Sequence, residues 1–141
     1  MLTRSDIAKL IERWLAAWNR HDLAGVLQCM TEDVAFQHWN TRVTRGKAQL
    51  ERLWQPWFAA HGDFRFDLKS LWVDETEQAC TFEWVLNWPS PEPNYRGRPE
   101  YREGVDIIKL RQGEIAIKRS YISTVLTVEG RAIPLNAQAL T

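Results

Sequence analysis

The chain has little of what covalent or metal chemistry is usually built from. It carries only two cysteines, Cys29 and Cys80, at no spacing that suits a metal or a redox pair, so both are expected as reduced thiols in a cytoplasmic protein. Three histidines, His21, His38 and His61, are joined by no metal-ligand spacing. There is no phosphate-binding glycine loop, no nucleophile elbow and no zinc motif. No metal and no cofactor is therefore expected. Charge of one sign is not in excess, with 18 basic against 18 acidic residues, so neither nucleic acid nor an anionic membrane is implied as a partner. No apolar run approaches the roughly 20 residues of a transmembrane helix. The opening MLTRSDIAKL carries charges where a signal peptide needs an apolar core, which again points to the cytoplasm.

What the chain does have is tryptophan, eight in 141 residues, the length of one ordinary domain. Ser5 to Asn19 reads as an amphipathic helix, with Ile7, Leu10, Ile11, Trp14, Leu15 and Trp18 at helical spacing and Thr3 or Ser5 as its cap. Asp22 can cap a short second helix. A strand is expected from Val34 to Trp39, with Val34, Phe36 and His38 on one face. Lys47 to about Ala60 reads as a third helix, carrying Leu50, Leu53, Trp54, Trp57 and Phe58 on its apolar side, and Pro56 should kink or restart it. His61-Gly62-Asp63 is a stop, and His21 and His61, both at helix breaks, are expected to be exposed. Strands follow: Phe64, Phe66, Leu68 and Trp72 alternate along one, and Cys80, Phe82, Trp84, Leu86 and Trp88 along the next. Pro89 to Pro99 reads as a loop, and the tail from Leu126 shows no clear period. This order implies an α+β fold in which helices pack on one face of a curved antiparallel sheet. Curvature leaves a cone-shaped hollow between them. Its expected aromatic lining is Trp14, Trp18, Phe36, Trp54, Trp57, Phe82, Trp84 and Trp88.

Tyr101 to Val125 reads as a hairpin with a two-residue turn at Gln112-Gly113, where glycine supplies a positive φ. A regular register from that turn puts Gly104, Asp106, Ile108 and Leu110 opposite Tyr121, Arg119, Ile117 and Ile115, and gives the other face to Val105, Ile107, Ser120 and Lys118. Asp106 then pairs with Arg119 beside Tyr121. Apolar residues on both faces predict a homodimer formed through the back of the sheet.

The stretches WNRHDLAGVLQCMTEDVAF, RGKAQL and GVDIIKLRQGEIAIKRSYIS resemble the SnoaL-like proteins of the nuclear transport factor 2 superfamily. The resemblance spans most of the chain and implies the same cone-shaped α+β fold, usually dimeric, shared by enzymes and non-catalytic binders. Against the ketosteroid isomerases of that superfamily, His38 stands at the position of the aspartate base, Trp14 at that of the oxyanion-hole tyrosine, and Asp106 at that of the protonated aspartic acid. The R-x-Y element of the cyclases is matched by Arg119 and Tyr121, with Ser123 where their aspartate would follow. Gly104 and Ser123 stand where the epoxide hydrolases have an arginine and an aspartate.

Two functions are thus chiefly in play, beside a weaker third, an assembly module whose hollow is filled by its own side chains. One is an enzyme acting without a cofactor on a small hydrophobic carbonyl compound by proton transfer. His38 would be the acid/base, Asp106 and Arg119 would stabilise or orient charge, Trp14 and Tyr121 would donate hydrogen bonds, and the other aromatics would hold the substrate. The other is a binding protein that uses the same hollow. His38 can equally be a strand-end histidine held by a neighbour, Asp106 a plain ion pair, and the tryptophans plain core.

Overall fold

The computed structural model describes residues 1–60 and 62–135. The expected exposure of His61, and residues 136–141 of the tail, lie outside the described residues, while His21 is half-buried, with Nε2 3.1 Å from the Phe64 carbonyl oxygen and its ring packed on Phe64. Helix α1 (Arg4–Asn19) is fixed at its start by a reciprocal capping box: Asp6 N–H donates to Thr3 Oγ1 and Thr3 N–H to the Asp6 carboxylate, both at 3.1 Å. The same hydroxyl holds the Asp6 carboxyl below its usual range. Helix α2 (Leu23–Gln28) is capped by Asp22, which accepts from Gly25 N–H at 3.0 Å. Strands β1 (Met30–Gln37) and β2 (Val43–Arg45) then frame a tight turn, and α3 (Lys47–Ala60) runs through Pro56 without a break. Pro56 is on the exposed side, where water can take the carbonyl that its missing N–H leaves free.

The rest is strand: β3 (Arg65–Asp74), β4 (Ala79–Pro89), β5 (Pro99–Arg111), β6 (Glu114–Ile122), β7 (Val125–Val128) and β8 (Arg131–Pro134). The sheet order is β2-β1-β6-β5-β4-β3, with β7 added to β5 and β8 to β7. Every pair is antiparallel except β1 with β6. The expected α+β architecture is borne out. Residues 126–135 of the tail are more regular than their sequence suggests. Glu129 and Gly130 both take positive φ and close a β7–β8 hairpin, whose Leu126, Val128 and Ile133 form a small core of their own with Tyr95.

The expected turn at Gln112-Gly113 is present, with φ of 52° and 79°. The register beyond it is not the regular one. Leu110 pairs with Ile115 but Lys109 pairs with Ile117, so Ala116 is an extra residue. A one-residue slip sends every later side chain of β6 to the opposite face. Asp106 therefore faces Ser120, not Arg119, and Ile107 faces Arg119. Lys118 and Ser120 point toward the helices and are buried, while Arg119 and Tyr121 lie exposed on the outer face. That outer face also carries Trp72, Val105 and Ile107. The main core fills the inner side, where Ile7, Leu10, Ile11 and Trp14 of α1 meet Phe82, Leu86 and Ile108 of the sheet.

Candidate active site

A cavity of about 540 Å³ opens between the inner face of the sheet and helices α1 and α3. Each element brings its wall residues by its own periodicity. Trp14, Leu15 and Trp18 come from α1, Leu53, Trp54 and Trp57 from α3, and Phe66, Trp84, Leu86 and Trp88 from alternate positions of β3 and β4. Rings meet edge-on across it, with Trp18–Trp54 centroids at 4.9 Å and Phe36–Trp54 at 4.8 Å. Seven of the eight expected wall aromatics are there, as are His38 and Asp106, while Phe82 is fully buried in the core against Trp14. Arg119 and Tyr121 are not, for the register reason given above. Trp14 contributes its ring to the wall, while its indole N–H is buried and meets no partner among the described residues.

The fully buried polar side chains of the cavity are few and connected. Asp106 Oδ1 accepts from Trp84 Nε1 at 2.9 Å and from Ser120 Oγ at 2.6 Å. Lys118 Nζ donates to Ser120 Oγ, lies 3.9 Å from Asp106 Oδ1, and sits 3.8 Å from the centroid of the Phe36 ring. All three side chains are buried. Lys118, Ser120 and Asp106 thus form one chain of donors and acceptors across β6 and β5. Burial pulls the Lys118 ammonium down to about 8, although Asp106 opposes this. Burial, helped by Asp106, pushes the neighbouring Cys80 thiol up to about 12, which makes it inert.

His38 sits just past β1, at the turn into β2. Its N–H donates to the Arg42 carbonyl at 2.8 Å, and Nε2 lies 2.8 Å from Thr44 Oγ1. Its ring packs 4.9 Å from Phe36. A carboxylate beside it would hold an imidazolium. The group that perturbs it is instead cationic: burial first, then the Lys118 charge, lowers His38 to about 4. His38 is therefore neutral at pH 7. With a proton on Nε2 donated to Thr44, Nδ1 carries the free lone pair.

A second buried network supports the rim. Arg102 makes a fork onto Glu100, at 2.7 and 2.8 Å, and reaches Glu92 at 3.5 Å. Its guanidinium lies 5.2 Å from the Trp39 ring centroid and 4.9 Å from that of Trp88, so it is clasped between two wall residues. Trp88 Nε1 and Ser90 Oγ also donate to Glu100. A larger depression of about 680 Å³ lies on the other side of Trp88. Its one buried ionisable group is Glu100, already committed to Arg102, so the aromatic cavity is where free chemistry resides.

Residues 11–117 match the SnoaL-like domain family. The chain belongs to that family. Solved structures agree on the fold at low identity. A protein from Xanthomonas campestris that bears the name polyketide cyclase superposes with a TM-score of 0.71 at 20% identity, over 85% of this chain and 92% of that one. An epoxide hydrolase/cyclase-like enzyme of pyran ring formation in the polyether salinomycin gives 0.73 at 14% identity, over 87% and 95%. A protein of unknown function with a cystatin-like fold from Methylobium petroleophilum gives 0.68 at 18%, over 95% and 86%. No curated protein sequence matches the chain. In this SnoaL-like domain the sequence pattern missed Lys118, Ser120, Trp39 and Thr44. The first two were hidden by the bulge at Ala116. The other two sit on a turn and a three-residue strand, too short to show any period.

Proposed function

We propose that the cavity takes a small hydrophobic carbonyl compound and moves a proton at the carbon next to the carbonyl, without a cofactor. The observation that supports this is a half-buried His38 and a buried Lys118–Ser120–Asp106 chain on the wall of a mainly apolar cavity. His38 Nδ1 would accept the proton. A base near 4 has the strength of a carboxylate, the kind that serves ketosteroid isomerases. The Lys118 ammonium would stabilise the charge that grows on the carbonyl oxygen. The second reading, a binding protein, draws on the Thr44 contact at 2.8 Å, which holds His38 as a structural residue would be held.

The test is deuterium exchange at the α-carbon of β-tetralone, a compact bicyclic ketone, followed by NMR in heavy water. The expected result is catalysed exchange with an acid limb near pH 4. The sign follows from the base having to be neutral: activity is present above the lowered value and is lost as pH falls through about 4, not through the ordinary 6.5. Binding of the ketone, seen by tryptophan quenching, with no exchange above the solvent rate would establish the binder instead.

We also propose that two copies pair through the outer face of the sheet. Trp72, Ile107 and Tyr121 are exposed there at 56%, 36% and 49%, an apolar group on strands that would otherwise alternate cleanly. Sedimentation equilibrium at micromolar concentration should give a dimer. A monomer throughout that range would refute the pairing.

A further inference from the structure

The role just given to Lys118 uses its charge alone and leaves its nitrogen lone pair without a task. We propose that Lys118 is an imine-forming residue: its ε-amine adds to the carbonyl carbon of a hydrophobic ketone or aldehyde held in the cavity and links the substrate to the protein. This rests on the reading of the cavity as a carbonyl site and narrows it to ketones and aldehydes, since esters and carboxylates do not give stable imines.

The geometry supplies each requirement. A carbonyl carbon must be able to reach the amine, and Lys118 lines the cavity with Nζ against the Phe36 ring. The amine must lose a proton locally, and Ser120 Oγ accepts from Nζ while donating to Asp106 Oδ1 at 2.6 Å. That chain can carry the proton from nitrogen to carboxylate and return it. Water must be scarce for the linkage to persist, and the walls are mainly aromatic. Lys9, Lys69 and Lys109 are exposed, and Lys47 is paired with Glu32 at the surface, so Lys118 is the one buried lysine among the described residues.

The step balances without any added reagent. The ammonium gives one proton through Ser120 to Asp106. The nitrogen lone pair then attacks the carbonyl carbon, the C=O π pair moves to oxygen, and the oxygen takes up that proton to give a carbinolamine. A second proton from nitrogen goes to the hydroxyl, which leaves as water while nitrogen closes the C=N bond. The sum is ketone plus ammonium to iminium plus water. The iminium is a stronger electron sink than a carbonyl, so His38 Nδ1 can take the α-proton as its C–H electrons flow toward nitrogen.

The charges facing Lys118 are known. Asp106 on β5 holds the amine protonated, while burial and the neutral His38 at the β1–β2 turn do not. Arg42 lines the same cavity, and α1 and α3 present only apolar and aromatic side chains to it. With Lys118 near 8, about a tenth of it is free amine at pH 7, against roughly one part in several thousand for an ordinary lysine.

The experiment treats the wild-type protein with β-tetralone and sodium cyanoborohydride and maps the reduced adduct by mass spectrometry. The expected result is one adduct per chain on Lys118, formed at least about tenfold faster than on any other lysine and rising with pH to a plateau above about 8. Lys118→Arg, which keeps the charge and removes the amine, should lose it. Adducts confined to the α-amino group, or spread evenly over the exposed lysines, would overturn the proposal. Because the map is read on wild type, it holds even if the variant fails to fold. Exchange of the same ketone without trapping would remove the imine and leave the proton-transfer reading in place. Trapping without exchange would do the reverse.

Discussion

His38→Ala is expected to slow α-proton exchange on β-tetralone by about 100- to 10,000-fold, the usual cost of losing a general base. Affinity for the ketone should change far less, by about fivefold for one lost hydrogen bond of ~1 kcal/mol. The separation follows from how His38 is held. Its backbone, not its ring, closes the turn onto the Arg42 carbonyl, so alanine keeps the loop in place. The walls that bind the ring system of the ketone come from α1, α3 and the sheet, and Phe36 and Trp54, on which the imidazole packs, also hold each other and Trp18. Exchange by NMR and binding by tryptophan quenching on the same samples check both halves. If His38→Ala exchanges the ketone as fast as wild type, the base lies elsewhere.

Gly104→Ala is the second large effect, and it acts through Trp84. A Cβ at Gly104 would come within 2.3 Å of Trp84 Cζ2 and 2.6 Å of the Tyr121 carbonyl oxygen. Neither can give way cheaply, since one is a buried indole and the other is backbone of the paired strand. The indole must swing away from β5, and with it goes the 2.9 Å bond from Nε1 to Asp106. Overpacking of this kind and a buried carboxylate short of one donor together cost roughly 2–5 kcal/mol. Chemical denaturation should show a lowered midpoint with an unchanged slope. A ΔΔG within about 0.5 kcal/mol of zero would mean that Trp84 has room to move. The same crowding bears on the family resemblance. The epoxide hydrolases have an arginine at this position, and here the Trp84 ring occupies the space a side chain would need.

Much of this architecture is written in local pattern. The first helix announces itself by the spacing of Ile7, Leu10, Ile11, Trp14 and Trp18, and the parity of Phe82, Trp84, Leu86 and Trp88 correctly turns Trp84 and Trp88 to the cavity. Asp106 and His38 follow from the same parity. What parity does not reveal is a bulge. Ile115 and Ile117 are both apolar, so a regular strand with both facing inward is the natural reading. In fact Ile115 is fully buried in the core and Ile117 faces outward across from Lys109. Ala116 has no side chain large enough to signal the extra residue. One undetected insertion therefore exchanged Arg119 and Tyr121 for Lys118 and Ser120, and changed the character of the site from a surface-like guanidinium pair to a buried amine. The β7–β8 hairpin was missed for a different reason. Its strands have four residues each, and only the Glu129-Gly130 turn marks them.

The one parallel pair in the sheet governs the order in which the protein can be made. Strand β1 lies beside β6, and Lys118 meets the Gln37 carbonyl across 81 residues of chain. Contacts so far apart in sequence close late, because loop entropy must be met before they contribute. As the chain leaves the ribosome, α1, β1 and α3 emerge early with Trp14, Trp18, Phe36 and Trp54 uncovered. Strands β3 and β4 cover Trp14 and Trp18 first, and only when β6 arrives can β1 join the main sheet and Phe36 be covered by Lys118. The nascent half-domain is thus a sticky intermediate, and the segment that completes it also delivers the cavity's lysine.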